Sequence, residues 1–335
     1  MKNELILESL LANSSLYDLA SQANDIRTKL HDNKAFYTVN GAITYSNTCE
    51  LFCPICSFAK KKDSKQSYIL SLEQVEQKAR YFSEKGAVEV HIIGGINHDI
   101  PFDYYIDVLK TIRRVAPNLN IVAFTASECV MMSEITGKSL EYVYKSLIDA
   151  GLDALPGGGA EIFNPRVRNV VSPKKLSGKA WLEGHRQAHK CGLKTNATML
   201  YGHVEDDRAV ANHLQSLRNL QEETNGFKAI VLLPFRKGES VVDTKLTSQY
   251  SCKICSLTRI ALDNVPHIRV PVTHFSDRFA QLLLNFGADD IGGTHWAEEV
   301  ASSAGANFKE LSEKDLADCI TSAGFKAIRT NSNYV

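Results

Sequence analysis

The sequence predicts a (β/α)8 barrel, and two observations support this fold class. Short apolar, β-branched runs alternate with amphipathic stretches, giving eight strand–helix units counted from the strand that follows Asn40. No low-complexity segment or long linker divides the 335 residues. Strands separated by helices predict a parallel sheet, and eight such units at this length are typical of a closed barrel. An open, doubly wound sheet is the alternative.

The elements follow one another along the chain in a regular order. An N-terminal helical segment over residues 1–35 is predicted because apolar residues recur at helical spacing between Leu16 and Leu30. After a short run over 36–39, the eight predicted strands are 42–45, 88–93, 120–125, 152–155, 193–199, 229–233, 268–272 and 288–291. The predicted helices are 72–84, 102–115, 140–150, 179–190, 208–222, 256–264 and 278–285. We expect one domain, with the barrel over 36–293 and a C-terminal helical extension over 294–335, including helices at 296–303 and 312–323.

Composition and charge narrow the class of protein. The formal net charge is zero, so the sequence predicts no general attraction to nucleic acid or to an anionic membrane. The first residues lack the apolar core of a secretion signal, and no run of about 18 apolar residues predicts a membrane-spanning helix. Eight cysteines in such a chain favour a reducing compartment and metal or catalytic roles. These features predict a cytoplasmic enzyme.

Three closely spaced thiols follow the first predicted strand. Cys49, Cys53 and Cys56 have the spacing CxxxCxxC. Iron–sulfur clusters are normally held by four thiolates, so three ligands leave one iron open to an exogenous group. The alternative is a tetrahedral zinc site completed by a distant thiol, for which Cys252 and Cys255 are candidates. The spacing favours the cluster.

Glycines and polar side chains follow the next three predicted strands, at the barrel end where active sites lie. The candidate cofactor-binding residues are Gly94 and Gly95 after the second strand, Thr125, Ser127 and Glu128 after the third, and Gly158 and Glu161 after the fourth. Glycine allows close approach of backbone to a cofactor, and the oxygens can accept hydrogen bonds from ribose hydroxyls or an ammonium group. Candidate catalytic residues are Glu161, His98 and Arg168, an arginine suited to binding a carboxylate.

These motifs resemble a known family. CxxxCxxC resembles the signature of the radical S-adenosylmethionine (radical SAM) superfamily. Four longer stretches, 94–105, 155–168, 181–203 and 285–290, look like the radical SAM enzymes of the futalosine route to menaquinone and their relatives in deazaflavin (F420) biosynthesis. The resemblance implies a [4Fe-4S] cluster on Cys49, Cys53 and Cys56, with S-adenosylmethionine on the open iron. It also implies an external electron donor such as flavodoxin or ferredoxin.

Two short motifs narrow the resemblance. Phe124-Thr125-Ala126 and Leu200-Tyr201-Gly202-His203 look most like the aminofutalosine synthase branch. The implied reaction adds the 5′-deoxyadenosyl radical to a small-molecule substrate, 3-[(1-carboxyvinyl)oxy]benzoate, and gives 6-amino-6-deoxyfutalosine. The alternatives within the group are the later cyclase of the same pathway and an F420-type enzyme. A zinc-stabilised binding protein is the alternative from another class.

Overall fold

One parallel sheet of ten strands organises the computed structural model, which describes residues 3–238, 240–305 and 310–335. The strands are β1 (Lys34–Thr38), β2 (Asn40–Ser46), β3 (Glu89–Gly94), β4 (Asn120–Ala123), β5 (Ala154–Leu155), β6 (Lys194–Tyr201), β7 (Phe227–Pro234), β8 (His267–Arg269), β9 (Asp290–Gly293) and β10 (Lys326–Thr330). From β2 to β9 each strand pairs with the next along the chain, and β1 lies between β9 and β10.

Helices connect the strands. They are α1 (Glu4–Asn13), α2 (Leu16–His31), α3 (Leu72–Glu84), α4 (Phe102–Val115), α5 (Ala126–Thr136), α6 (Leu140–Asp149), α7 (Pro165–Val171), α8 (Gly178–Lys190), α9 (Asp207–Thr224), α10 (Ser248–Ala261), α11 (Asp277–Leu283), α12 (Val300–Ser303) and α13 (Glu313–Ser322). In the described ranges none of them is long and apolar enough to cross a bilayer. Parallel strands joined by helices confirm the predicted α/β barrel class.

The barrel closes along a seam between its first and last strands. Thr294 donates its backbone N–H to Thr38 O at 3.1 Å, Trp296 donates to Asn40 O at 3.1 Å, and Ala42 donates to Trp296 O at 2.8 Å. The strand-pairing partners of the chain therefore change near Val39. Before it, β1 pairs with β9; after it, β2 pairs with β3 and bridges to Trp296.

Several elements differ from the sequence prediction. Helices α5 and α7 were missed, and α10 begins at Ser248, eight residues before the predicted start. The C-terminal extension contains the predicted helix α13, whereas only Val300–Ser303 of the predicted 296–303 helix is helical. The extension also contains β10, whose half-exposed, mixed sequence gives little strand signal but pairs with β1.

The last residues cover the amino-terminal end of the barrel. Ser332 donates its hydroxyl to Glu89 Oε1 at 2.9 Å, and Asn333 donates its amide to Asn120 Oδ1 at 2.9 Å. Tyr334 donates its hydroxyl to Asp290 Oδ2 at 2.7 Å. Glu89, Asn120 and Asp290 all begin strands, so the tail closes this end and leaves the opposite end for a site.

Candidate active site at the carboxyl ends of the strands

The three-thiol loop begins directly after β2 and is held by backbone hydrogen bonds. Cys49 N donates to Lys60 O at 3.2 Å, and Lys60 N donates to Asn47 O at 2.9 Å. Cys56 N donates to Cys53 O at 2.9 Å, which makes a tight turn between the last two thiols. Cys53 is buried, Cys49 is half-buried and Cys56 is exposed, and all three are free thiols. The loop therefore presents its thiols at the carboxyl end of the barrel.

Gly95 lets β3 approach this loop. Its backbone N–H donates to Ser46 O at 2.9 Å. A Cβ on Gly95 would lie 2.1 Å from Thr48 O and 2.8 Å from Cys49 Cβ. A Cβ on Gly94 would lie 2.4 Å from the ring of Tyr45. The absence of side chains at both positions thus allows the end of β3 to pack closely against β2 and the thiol loop.

The triple glycine after β5 makes a second close approach. A Cβ on Gly157 would lie 2.1 Å from Asn196 O, so only glycine fits against β6. A Cβ on Gly158 would lie 3.0 Å from Thr125 Cγ2, and one on Gly159 would lie 3.2 Å from Ser127 Oγ. The triple glycine therefore faces the start of α5.

Ser127 offers a free polar group at this place. It is buried, and its Oγ has no hydrogen-bond partner within the part of the chain that the structure describes. Most buried polar groups are paired, so an unpaired hydroxyl beside a glycine run fits a ligand hydroxyl or ammonium group. This supports the prediction that Ser127 contacts a cofactor, which stays a prediction.

Glu128 joins three strand ends. Its Oε1 accepts from Tyr45 Oη at 2.8 Å and from Gly94 N at 3.1 Å. Its Oε2 accepts from Thr125 N at 2.7 Å, as part of the capping box that starts α5. Burial raises the pKa of Glu128 to about 7, against the opposing effect of these hydrogen bonds. Both oxygens are therefore occupied by protein groups, and the same capping box occupies the hydroxyl of Thr125.

Glu161 forms a buried ion pair. Lys175 Nζ lies 2.7 Å from Glu161 Oε1, and both side chains are mostly buried. Burial by itself raises the pKa of Glu161, but Lys175 and Arg168 lower it more, so the carboxylate is ionised. Burial raises the pKa of the Cys53 thiol, and the Lys175 ammonium opposes this rise. The ion pair thus lies near the thiol loop, and no local sequence signal marked Lys175.

Arg168 holds the loop that carries Glu161. Its guanidinium donates to Ala160 O at 2.5 Å and also to Leu176 O, while its Nε has no partner among the described residues. Most of its hydrogen-bonding capacity therefore goes to backbone. The neighbouring Arg166 is exposed and pairs with Asp206. To bind a carboxylate as predicted, Arg168 would use Nε, the guanidinium nitrogen that has no partner among the described residues. This role stays a prediction.

His98 lies at the protein surface beside the thiol loop. Its Nδ1 is 2.9 Å from Glu50 Oε2 and its Nε2 is 3.0 Å from Glu134 Oε2. These two partners raise the pKa of His98. Glu50 belongs to the thiol loop and Glu134 to α5, so the observed contacts of His98 connect those two elements. The structure does not pair His98 with Glu161.

The separation of the three thiols bears on the zinc alternative. A tetrahedral zinc site has Zn–S bonds of about 2.3 Å, which puts its sulfurs about 3.8 Å apart. Among the described residues, the only three potential ligand atoms within 4.8 Å of one another belong to His31, His267 and Asp289. The three thiol sulfurs therefore do not all lie within that distance of one another, as a tetrahedral zinc site would require. Cys252 and Cys255 are buried in α10.

Comparison with known proteins identifies the class. Residues 43–217 match the model of the radical SAM superfamily. The chain belongs to this superfamily and is an enzyme, and membership implies an iron–sulfur cluster and S-adenosylmethionine. More narrowly, residues 224–335 match the model of the CofH/MqnC C-terminal region.

Relatives and solved structures agree with this assignment. The chain is 33% identical to the aminodeoxyfutalosine synthase of Streptomyces coelicolor, over 97% of this chain and 88% of the relative. It is 30% identical to the 5-amino-6-(D-ribitylamino)uracil–L-tyrosine 4-hydroxyphenyl transferase of Methanopyrus kandleri, over 98% of this chain and 91% of the relative. The structure of methylornithine synthase superimposes with a TM-score of 0.75 at 17% identity, over 98% of this chain and 94% of that one, which shows a shared fold.

Proposed function

We propose that this enzyme is an aminofutalosine synthase of menaquinone biosynthesis. It would add the 5′-deoxyadenosyl radical to the enol-ether double bond of 3-[(1-carboxyvinyl)oxy]benzoate, a carbon–carbon bond-forming transfer. Rearrangement onto the aromatic ring and loss of the carboxyl carbon as bicarbonate would then give 6-amino-6-deoxyfutalosine. The near full-length similarity to two synthases, 33% identical in Streptomyces coelicolor and 32% in Thermus thermophilus, supports this reaction. The observation that carries the chemistry is the three-thiol loop facing the carboxyl ends of the strands.

Cys49, Cys53 and Cys56 would hold a [4Fe-4S] cluster. Such a cluster would supply the electron for reductive cleavage of S-adenosylmethionine to the 5′-deoxyadenosyl radical. Gly95 keeps the thiol loop close to β3, because a side chain there would collide with Thr48. The protein thereby fixes the position of the loop before any ligand binds.

Residues from the next two strand ends would hold S-adenosylmethionine, which is also consumed as a substrate. Ser127 Oγ is unpaired and lies beside the triple glycine. The ionised Glu161 lies next and is suited to the methionyl ammonium or to ribose hydroxyls. Lys175 Nζ, 2.7 Å from Glu161 Oε1, holds that carboxylate in place. Its positive charge also favours the thiolate form of Cys53. We further propose a cytoplasmic enzyme reduced by an external donor such as flavodoxin or ferredoxin.

An F420-type transferase is the second candidate. The transferase of Methanococcoides burtonii is 32% identical over 95% of this chain and 91% of the relative, almost the same similarity as for the synthases. Overall identity therefore does not separate the two reactions.

Product analysis separates the candidates. The reconstituted enzyme is incubated anaerobically with S-adenosylmethionine, a reductant and either the enol ether or tyrosine with 5-amino-6-(D-ribitylamino)uracil. A product that contains the intact deoxyadenosyl group supports the synthase. Free 5′-deoxyadenosine as the main nucleoside product refutes it and favours hydrogen abstraction, as in the cyclase or the transferase. The Cys53→Ala variant is the control, since it lacks one cluster ligand.

A further inference from the structure

A histidine on the inner face of β3 lies below the thiol loop. A Cβ on Gly41 would lie 2.6 Å from the ring of Phe82 on α3, so Gly41 faces the helices. Side chains alternate along a strand, and Asn40 and Ala42 therefore face the barrel interior. Asn40 pairs with Glu89 and Ala42 pairs with His91. Glu89 and His91 thus point inward.

Glu89 fixes the orientation of His91. The two side chains form a hydrogen bond of 2.6 Å between Oε1 and Nε2. Glu89 is fully buried; burial raises its pKa, but the hydrogen bond and charge of His91 lower it more, to about 2. The carboxylate is therefore ionised and accepts a hydrogen bond from Nε2–H of His91. Among the described residues the hydrogen bond given for the His91 ring is the one at Nε2, and 18% of the side chain remains exposed.

The neighbouring seam of the barrel contains more unpaired polar atoms. Thr38 Oγ1, Asn40 Nδ2 and His295 Nε2 are all buried without a hydrogen-bond partner in the described ranges. Asn40 Oδ1 accepts from His295 N at 2.8 Å, which leaves the amide nitrogen as the free donor. The His295 ring lies 5.5 Å from the His91 ring. Such atoms are normally paired, and three together beside an oriented histidine indicate a ligand-binding site.

The donors specify the ligand chemistry. Asn40 Nδ2 can only donate, and the His295 nitrogen and the Thr38 hydroxyl can donate. An imidazolium donates from both ring nitrogens, so in that form His91 can bond Glu89 and a ligand together. A set of donors fits a carboxylate, which only accepts. The guanidinium of Arg269 lies at this end of the barrel, where its charge is paired with Asp290 Oδ2 at 2.9 Å.

The position along β3 suits an aromatic acid. Ile93 and Gly95 follow His91 on the same face, and Gly95 is the residue that contacts the thiol loop. Four residues of strand span about 13 Å, so the separation between His91 and the thiol loop along β3 is long enough for an aromatic ring. Ile93 is half-buried and offers that ring an apolar surface.

We propose that His91, held by the positioning residue Glu89, binds the ring carboxylate of the aromatic substrate at the closed end of the barrel. Asn40 and His295 donate further hydrogen bonds to the same carboxylate. The inference rests on the proposed function, because that function supplies an aromatic acid as the substrate.

The test compares the enol ether with its ring methyl ester, using the reconstituted enzyme. In the wild type we expect the acid to have the lower KM. His91→Gln should reduce this acid-over-ester preference by about tenfold or more, since a charge-assisted hydrogen bond is lost. The KM for S-adenosylmethionine should not change. His189→Asn is the matched control, because His189 lies on α8 and, among the described residues, its ring nitrogens bond Thr195 and Thr224. An unchanged preference in His91→Gln would overturn the proposal.

A second variant and a second assay keep the test decisive. Asn40→Asp retains the acceptor for His295 N but places a carboxylate beside the ligand, so it should weaken binding of the acid and spare the ester. If His91→Gln does not fold, an unchanged preference in Asn40→Asp refutes the proposal.

If the wild type does not convert the enol ether, calorimetry with 3-methoxybenzoate and 3-methoxybenzamide tests the site separately. Equal affinity for the acid and the amide would then refute the carboxylate site itself.

Discussion

Replacing Gly95 by alanine should remove the cluster by displacing the loop that holds it. The new Cβ would lie 2.1 Å from Thr48 O, whereas a carbon–oxygen contact needs about 3.3 Å. The two backbones must therefore separate by about 1.2 Å. Two hydrogen bonds of 2.9 Å oppose this movement, Gly95 N to Ser46 O and Glu50 N to Ile96 O.

The loss of stability expected for Gly95→Ala follows from these contacts. Overpacking of a tight site costs about 1–3 kcal/mol, and each weakened hydrogen bond adds about 1 kcal/mol. With two such hydrogen bonds, we therefore expect the free energy of unfolding to fall by about 3–5 kcal/mol. Since Cys49 Cβ lies 2.8 Å from the new atom, the displacement also moves a cluster ligand. Iron affinity should fall by about 10- to 100-fold, as for other losses of support around a metal site.

The assay measures iron and sulfide per chain after anaerobic reconstitution, together with cleavage of S-adenosylmethionine. Gly86→Ala is the control: its φ of +88° also strains an alanine, but nothing lies within 4 Å of the added Cβ. That strain costs about 1–3 kcal/mol, so both variants lose stability and only Gly95→Ala loses iron. Full iron content and normal cleavage in Gly95→Ala would show that the close contact of Gly95 with Thr48 does not position the cluster ligands.

Three further predictions address the thiols and the buried charges. Cys53→Ala should abolish cluster assembly while circular dichroism still reports a folded barrel; retained cleavage of S-adenosylmethionine would overturn the ligand assignment. Lys175→Met leaves the buried carboxylate of Glu161 without its cation and should cost about 3–5 kcal/mol in urea unfolding, part of which the added Glu161→Gln change restores. An undiminished stability of Lys175→Met would show that the pair contributes nothing. Burial raises the pKa of Glu128 from 4.5 to about 7, so between these values the folded state binds more protons than the unfolded state, and stability falls as pH rises. Between pH 5 and 8, the free energy of unfolding in urea should fall by up to about 3 kcal/mol more in the wild type than in Glu128→Gln. Equal pH dependence of the two proteins would contradict this.

Local sequence patterns determine the fold class and mark part of the candidate site. Alternating strands and amphipathic helices predict the barrel because each element must bury one face, and the structure confirms that class. The three thiols are marked by their spacing within one loop. The glycines at 94–95 and 157–159 were also visible, but their contacts with Tyr45 and Asn196 required the neighbouring strands to be in place.

Tertiary structure decided the rest, because the decisive contacts join residues far apart in the chain. The Lys175–Glu161 pair depends on how the segment after α7 folds back, and no motif marks it. The His91 site depends on the register of β2 and β3 and on the seam to His295. Strand β10 exists because β1 offers it a free edge. Periodicity reports which face of an element is buried; it does not report which distant side chain completes a hydrogen bond there.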